Sequence, residues 1–184
     1  SIKERLTEVL KRLAEEIRKV IEENKRTVDR AREEVERVIR KNREVLKRIK
    51  ERADEVIKRI SDERLVREIE DRLEKLKKTS EDLVRDVERI VEEMERSSRE
   101  LEKDIRRILD ELAKKVEKVK KDGSDERVVE ELIREAKKIV EDIVRRVKRH
   151  SREVERIVEE IRRRAEEHIE RLKRSLEEVE KKVD

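Results

Sequence analysis

The sequence predicts an all-α fold: an up-down-up, single-chain three-helix bundle of long, nearly straight, coiled-coil-like helices. Three observations carry that prediction. Apolar residues recur at the helical period along the whole chain. Helix breakers are almost missing, with one glycine and no proline in 184 residues, where ordinary usage would supply about nine prolines. The few turn and cap signals divide the chain into three parts of similar length.

The first helix is expected over about 1–60. Ser1 and Glu4 have the spacing of a capping box. Its inward stripe runs from Leu6 to Ile60 through Ile17, Asn24, Val35, Asn42 and Ile49, in 15 steps over 54 residues, a mean of 3.60. The second helix is expected over 62–121, opening at Ser61-Asp62-Glu63-Arg64 after the basic pair Lys58 and Arg59. Its stripe, Ile69 to Val119, takes 14 steps over 50 residues. The third is expected over 125–183, after Gly123, where a helix end favours positive φ, and a second Ser-Asp-Glu-Arg start at Ser124. Its stripe from Val129 to Val183 again takes 15 steps over 54 residues. Ser61 and Ser124 are the expected N-caps, and Asp62, Glu63, Asp125 and Glu126 put negative charge at the positive end of the helix dipole. A strict heptad would average 3.5 and force a left-handed supercoil, whereas 3.6 implies straight helices. Sixty residues then span about 90 Å. One apolar residue in three is enough for each helix to face two neighbours, so residues 1–184 are expected to form a single monomeric bundle, a rod of about 90–100 Å.

Composition excludes several classes of function. The chain has no cysteine, so it carries no disulfide, thiolate chemistry or zinc-thiolate site. No apolar run exceeds two residues, which predicts neither a membrane span nor a signal peptide, and nothing assigns a compartment. Phe, Trp and Tyr are absent, so no ring can stack on bases or anchor an amphipathic helix in lipid. Lys and Arg number 56 against 52 Asp and Glu, and the excess lies in residues 1–60, with 20 basic and 14 acidic groups. The densest stretch, Arg37 to Arg52, is interrupted only by Glu44 and Glu51. Interleaved signs elsewhere indicate a solvated surface laced with ion pairs rather than a nucleic-acid face.

The informative positions interrupt the apolar stripe: Asn24 and Asn42, Ser80 and Ser98, His150 and His168, flanked by Thr27, Thr79, Ser97 and Ser151. Each pair is separated by 18 residues, five turns of a straight helix, and so lies on one face. Folding at the two breaks brings Asn24, Ser98 and His150 to one level and Asn42, Ser80 and His168 to another. Asn, Ser and neutral His each donate and accept, so each level can form a buried hydrogen-bond layer. Such layers add little net stability, but any slipped register leaves polar atoms buried and unpaired. Burial should keep both histidines neutral, with pKa below the unfolded value of about 6.5.

Catalytic and metal readings are weaker. Ser, His and Asn suggest a hydrolase constellation, but there is no strained elbow, no oxyanion donor and no Asp to orient the imidazole. The histidines lie about 27 Å apart along the helix, and neither has a Glu three residues before it, as di-metal sites in bundles require. No catalytic, cofactor-binding or metal residue is expected.

The missing residue types, the repeated Ser-Asp-Glu-Arg starts and the Asn/Ser/His layers resemble de novo designed helical bundles with buried hydrogen-bond networks. The resemblance covers the whole chain, and the glycine-free first connection departs from it. It implies a structural scaffold with no natural biochemical function, no cofactor and no required partner. Some members of that class are split at their loops into chains that reassemble, so a helix–helix interaction module is the alternative, ahead of a natural coiled-coil spacer.

Overall fold

The computed structural model describes residues 1–123 and 125–183. Three helices account for nearly all of them: α1 (Ile2–Ile57), α2 (Glu63–Lys121) and α3 (Glu126–Val183). The charged, proline-free sequence makes this economical, because Glu, Lys, Arg and Leu lose little rotamer freedom in a helix.

The helix starts are set by three side-chain caps. Ser1 Oγ accepts from the Glu4 amide at 3.3 Å, as its spacing predicts. The second cap differs from expectation. Asp62, not Ser61, accepts from the Arg64 amide at 3.0 Å, and its carbonyl takes the first helical bond from Val66. Asp125 does the same for α3, accepting from Val128 at 3.1 Å through its carboxylate and from Val129 through its carbonyl. The expected cap at Ser124 lies outside the described residues. A carboxylate at the N-cap satisfies a free amide and also meets the helix dipole, which a serine hydroxyl cannot do. Asp62→Ala should therefore cost about 1 kcal/mol, while Ser61→Ala leaves the denaturation midpoint unchanged.

The two connections turn in different ways. α1 stops at Ile57, three residues short of the expected end, and tightens through bonds from the Arg59 amide to Val56 and from Ile60 to Ile57, each 3.1 Å. Among the described residues no side-chain-bearing residue has positive φ, so this connection turns without a left-handed residue. Ile60 lies beyond the helix yet packs on the Ala53, Val56, Ile69 and Val179 cluster, which holds the turn in place. The second connection uses Gly123 at φ 60°. A Cβ there would meet no atom within 4 Å, so Gly123→Ala pays only for the left-handed backbone. The expected loss in equilibrium denaturation is about 1 kcal/mol.

The helices pack into two compact units, Ser1–Arg30 with Glu93–Glu155 and Ala31–Glu92 with Arg156–Asp184. Each unit takes a segment from all three helices. In the first, Leu6, Leu112 and Leu132 share one cluster and Ile17, Ile105 and Ile143 another. In the second, Val35, Val87 and Ile161 meet, as do Val56, Ile69 and Val179. None of the predicted α1 stripe positions is exposed, and the large exposed hydrophobic residue among those described is Val128.

Register is readable from the bridges inside each unit. Pairs joining α2 to α3 have residue numbers summing to 248 or 250, as in Ser98–His150, Ser80–His168, Lys115–Glu135 and Arg164–Asp86. Those helices are therefore antiparallel. Bridges from α1 to α3 join residues 125 to 128 apart, from Arg5–Glu130 to Arg52–Glu180, as parallel helices require. The exposed ion pairs among them, Arg5–Glu130, Lys115–Glu135 and Arg52–Glu180, each add little to stability. Within helices, pairing runs chiefly at i,i+3: Arg18 bonds Glu15, and Arg37 lies 3.2 Å from Glu34.

Candidate functional site

The polar interruptions of the stripe meet inside the two units. In the first unit, α1 supplies Asn24, α2 supplies Ser98, and α3 supplies His150 and Ser151. His150 Nδ1 lies 3.1 Å from Asn24 Oδ1, and His150 Nε2 lies 3.2 Å from Ser98 Oγ. The amide oxygen can only accept, so Nδ1 carries the proton. Nε2 of the neutral ring is then an acceptor, and the Ser98 hydroxyl donates to it. Ser151 Oγ also donates to Asn24 Oδ1 at 2.8 Å. Four side chains from three helices thus form one connected set. His150 is 8% exposed, while Asn24, Ser98 and Ser151 are half-buried.

The second unit repeats this incompletely. Ser80 Oγ and His168 Nε2 share a hydrogen bond of 2.6 Å, with both residues buried. Asn42 is 3% exposed, but its Oδ1 has no hydrogen-bond partner; it is the fully buried side-chain polar atom in that condition among the described residues. The reason is visible by aligning the layers at their 18-residue spacing. Ser151 follows His150 in the first layer, whereas buried Ile169 follows His168 in the second. At the position of the donor that completes Asn24, the second layer has an apolar side chain.

Of the flanking residues, only Ser151 joins a layer. Thr27 and Thr79 turn back on their own helices, donating to the carbonyls of Glu23 at 3.0 Å and Lys75 at 2.9 Å. Ser97 is exposed. Stripe spacing alone could not separate them, since all four lie one to three residues from a layer position. The useful signal was direction. Ser151 bonds to α1, which lies beside α3, while the threonines satisfy themselves locally.

Both histidines have pKa values below the ordinary imidazole value of 6.5, and burial is the main cause. Their neighbours differ. Glu153 partly offsets the effect at His150, whereas Arg171 adds to it at His168. The partner of His150 Nδ1 is an amide, so no negative charge is aligned to stabilise an imidazolium there. This geometry suits holding a neutral ring in place rather than moving protons. Among the described residues no group of three or more His, Asp or Glu is arranged to hold a metal ion, and no helix is long and apolar enough to cross a membrane.

The basic stretch of α1 borders a groove of about 760 Å³ against α3, where Arg37, Arg40, Lys41 and Arg48 face Arg162 and Glu166. Arg162 is bound there, 3.0 Å from Glu34 and 2.7 Å from Glu159.

No protein-family model matches the chain. No curated protein matches it either. Among solved structures it is similar to one described as a computationally designed three helix bundle, at 24% identity and a TM-score of 0.47, over 99% of this chain and 88% of that one.

Proposed function

We propose that this chain is a designed structural scaffold without enzymatic activity, in which the buried Asn/Ser/His layers fix helix register and pairing. The observation that carries this reading is the connected set Asn24, His150, Ser98 and Ser151, in which three helices each contribute a group that the others require. Apolar side chains tolerate a sliding neighbour, since dispersion and burial are not directional. A hydrogen-bonded chain across three helices does not, because a displaced helix leaves its donors and acceptors without partners. The absence of aromatics, proline and glutamine and the repeated Ser-Asp-Glu-Arg starts support a designed origin. The chain needs no partner in this reading, and light scattering should give the monomer mass of 22.5 kDa.

The test replaces Asn24, Ser98, His150 and Ser151 together by Leu, Ala, Leu and Ala. Removing every member of the polar set leaves nothing stranded, so stability should be unchanged or higher. Specificity should fall, seen as more than one species in chromatography with light scattering, or as lowered hydrogen-exchange protection along α3. A quadruple variant as uniform and as protected as the parent overturns the register role.

A further inference from the structure

The positive charge of this chain is concentrated in one stretch of α1. Arg37 to Arg52 holds eight basic residues against Glu44 and Glu51, a net +6 in 16 residues. The whole chain is +4, so the other 168 residues carry −2. All ten charged side chains of the stretch are exposed. Arg37 pairs with Glu34, and Arg52 with Glu55 and Glu180. Among the described residues, Arg40, Lys41, Arg43, Lys47, Arg48 and Lys50 have no ion-pair partner. The ion pairs expected on this surface thus leave the stretch uncovered, and two glutamates cannot neutralise six cations.

The placement of the cations selects their partner. At 3.6 residues per turn, Arg43, Lys47 and Lys50 form one row, and Arg37, Lys41 and Arg48 form another about 130° round the helix. The first row runs on the α2 side, where Arg43 borders a groove with Ser80 and Val84. The second runs on the α3 side, where all three border the groove with Ala165. Every exposed residue from 37 to 52 is charged, so this face offers nothing apolar to a partner helix or to lipid. A flat anionic bilayer would meet this convex face along one row at a time. The major groove of B-form DNA, about 12 Å wide, admits a helix between its two phosphate rims. The duplex also carries one charge per about 1.7 Å of its axis and is stiff over this length, so neither partner has to be ordered on contact.

We propose that the outer face of α1 between Arg37 and Arg52 binds the phosphate backbone of double-stranded DNA without reading its sequence. Glu81 and Glu88 on α2 and Glu166 on α3 border the flanking grooves and repel phosphate there, which confines the contact to α1. This goes beyond the scaffold reading and does not depend on it.

Fluorescence anisotropy of a labelled duplex of roughly 20 base pairs, titrated with the full chain, tests the site. Affinity should fall steeply from 50 to 200 mM salt. The slope of log K against log salt should be about −5, for six neutralised phosphates at about −0.9 each. A second duplex of unrelated sequence should give the same curve. Replacing one row, by Arg43→Gln, Lys47→Gln and Lys50→Gln together, should flatten the slope by about 2.7. Lys11→Gln, Lys19→Gln and Lys25→Gln together remove the same charge from α1 outside the stretch and should leave the slope unchanged. Glutamine matches lysine and arginine in helix propensity, and an unchanged circular dichroism spectrum checks that both variants fold. Absence of saturable binding at 50 mM salt, equal losses in the two triple variants, or binding to phosphatidylserine vesicles without binding to the duplex overturns the proposal.

Discussion

Asn24→Leu lowers the unfolding free energy by roughly 1–3 kcal/mol, while Asn42→Leu leaves it unchanged or raises it. The two residues have the same type, lie on the same helix and interrupt the same stripe, so sequence alone assigns them the same effect. Their surroundings separate them. Asn24 Oδ1 accepts from both His150 Nδ1 and Ser151 Oγ. Removing it strands an imidazole N–H in a residue that is 8% exposed, and the cost is that of desolvating an unpaired donor. Asn42 Oδ1 already lacks a partner. Leucine there removes an unpaired carbonyl and adds apolar contact, two changes in the same direction. Urea denaturation of both variants, with unchanged m-values as evidence of an intact fold, decides the matter. Equal losses at the two positions would mean that the layers are equivalent after all.

Acidification provides the second large effect, because it acts on both layers at once. Burial lowers the pKa of His150 and His168 in the folded chain below the ordinary 6.5. For a base, the unfolded state then protonates first as pH falls. The stabilisation is complete above the unfolded pKa, declines as pH drops below it, and levels off beneath the folded pKa. The denaturation midpoint should fall between pH 7.5 and 4.5, and a His150→Asn, His168→Asn double variant should lose less over the same interval. His168 should titrate at the lower pH, since Arg171 reinforces burial there while Glu153 opposes it at His150. Imidazole resonances followed through the titration give the order directly. Equal losses in parent and double variant would assign the acid response to surface carboxylates instead.

The helices, their order and the inward stripes were legible because they rest on periodicity, which a sequence displays openly. The α2–α3 register was legible too, since two Ser and two His at one spacing admit a common pairing. Legibility failed where a choice depended on single atoms. Ser61 and Asp62 are both good caps, and only the exit of α1 at Ile57, with Ile60 folded onto the core, places Asp62 at the helix start. Asn24 and Asn42 looked alike for the same reason. Their difference is decided by the residues one place beyond the histidines, Ser151 and Ile169, whose importance depends on which neighbouring helix they face.

Equal spacing on three helices is a ruler with two identical marks, and such a ruler can be misread by one interval. Moving α3 by 18 residues would set His150 against Ser80 and bring Ser151 to Asn42, supplying the donor that Asn42 lacks. The shift would leave Asn24 and Ser98 without His150 and Ser151, but it would still complete one layer. What forbids it is tether length. Eighteen residues of helix are about 27 Å, whereas the four residues 122–125 between α2 and α3 reach about 14 Å when fully extended. The connection at Gly123 thus does more than reverse the chain: it selects between two alignments that the buried groups would both partly accept. Severing it would release that choice, and the shifted pairing would then compete with the native one.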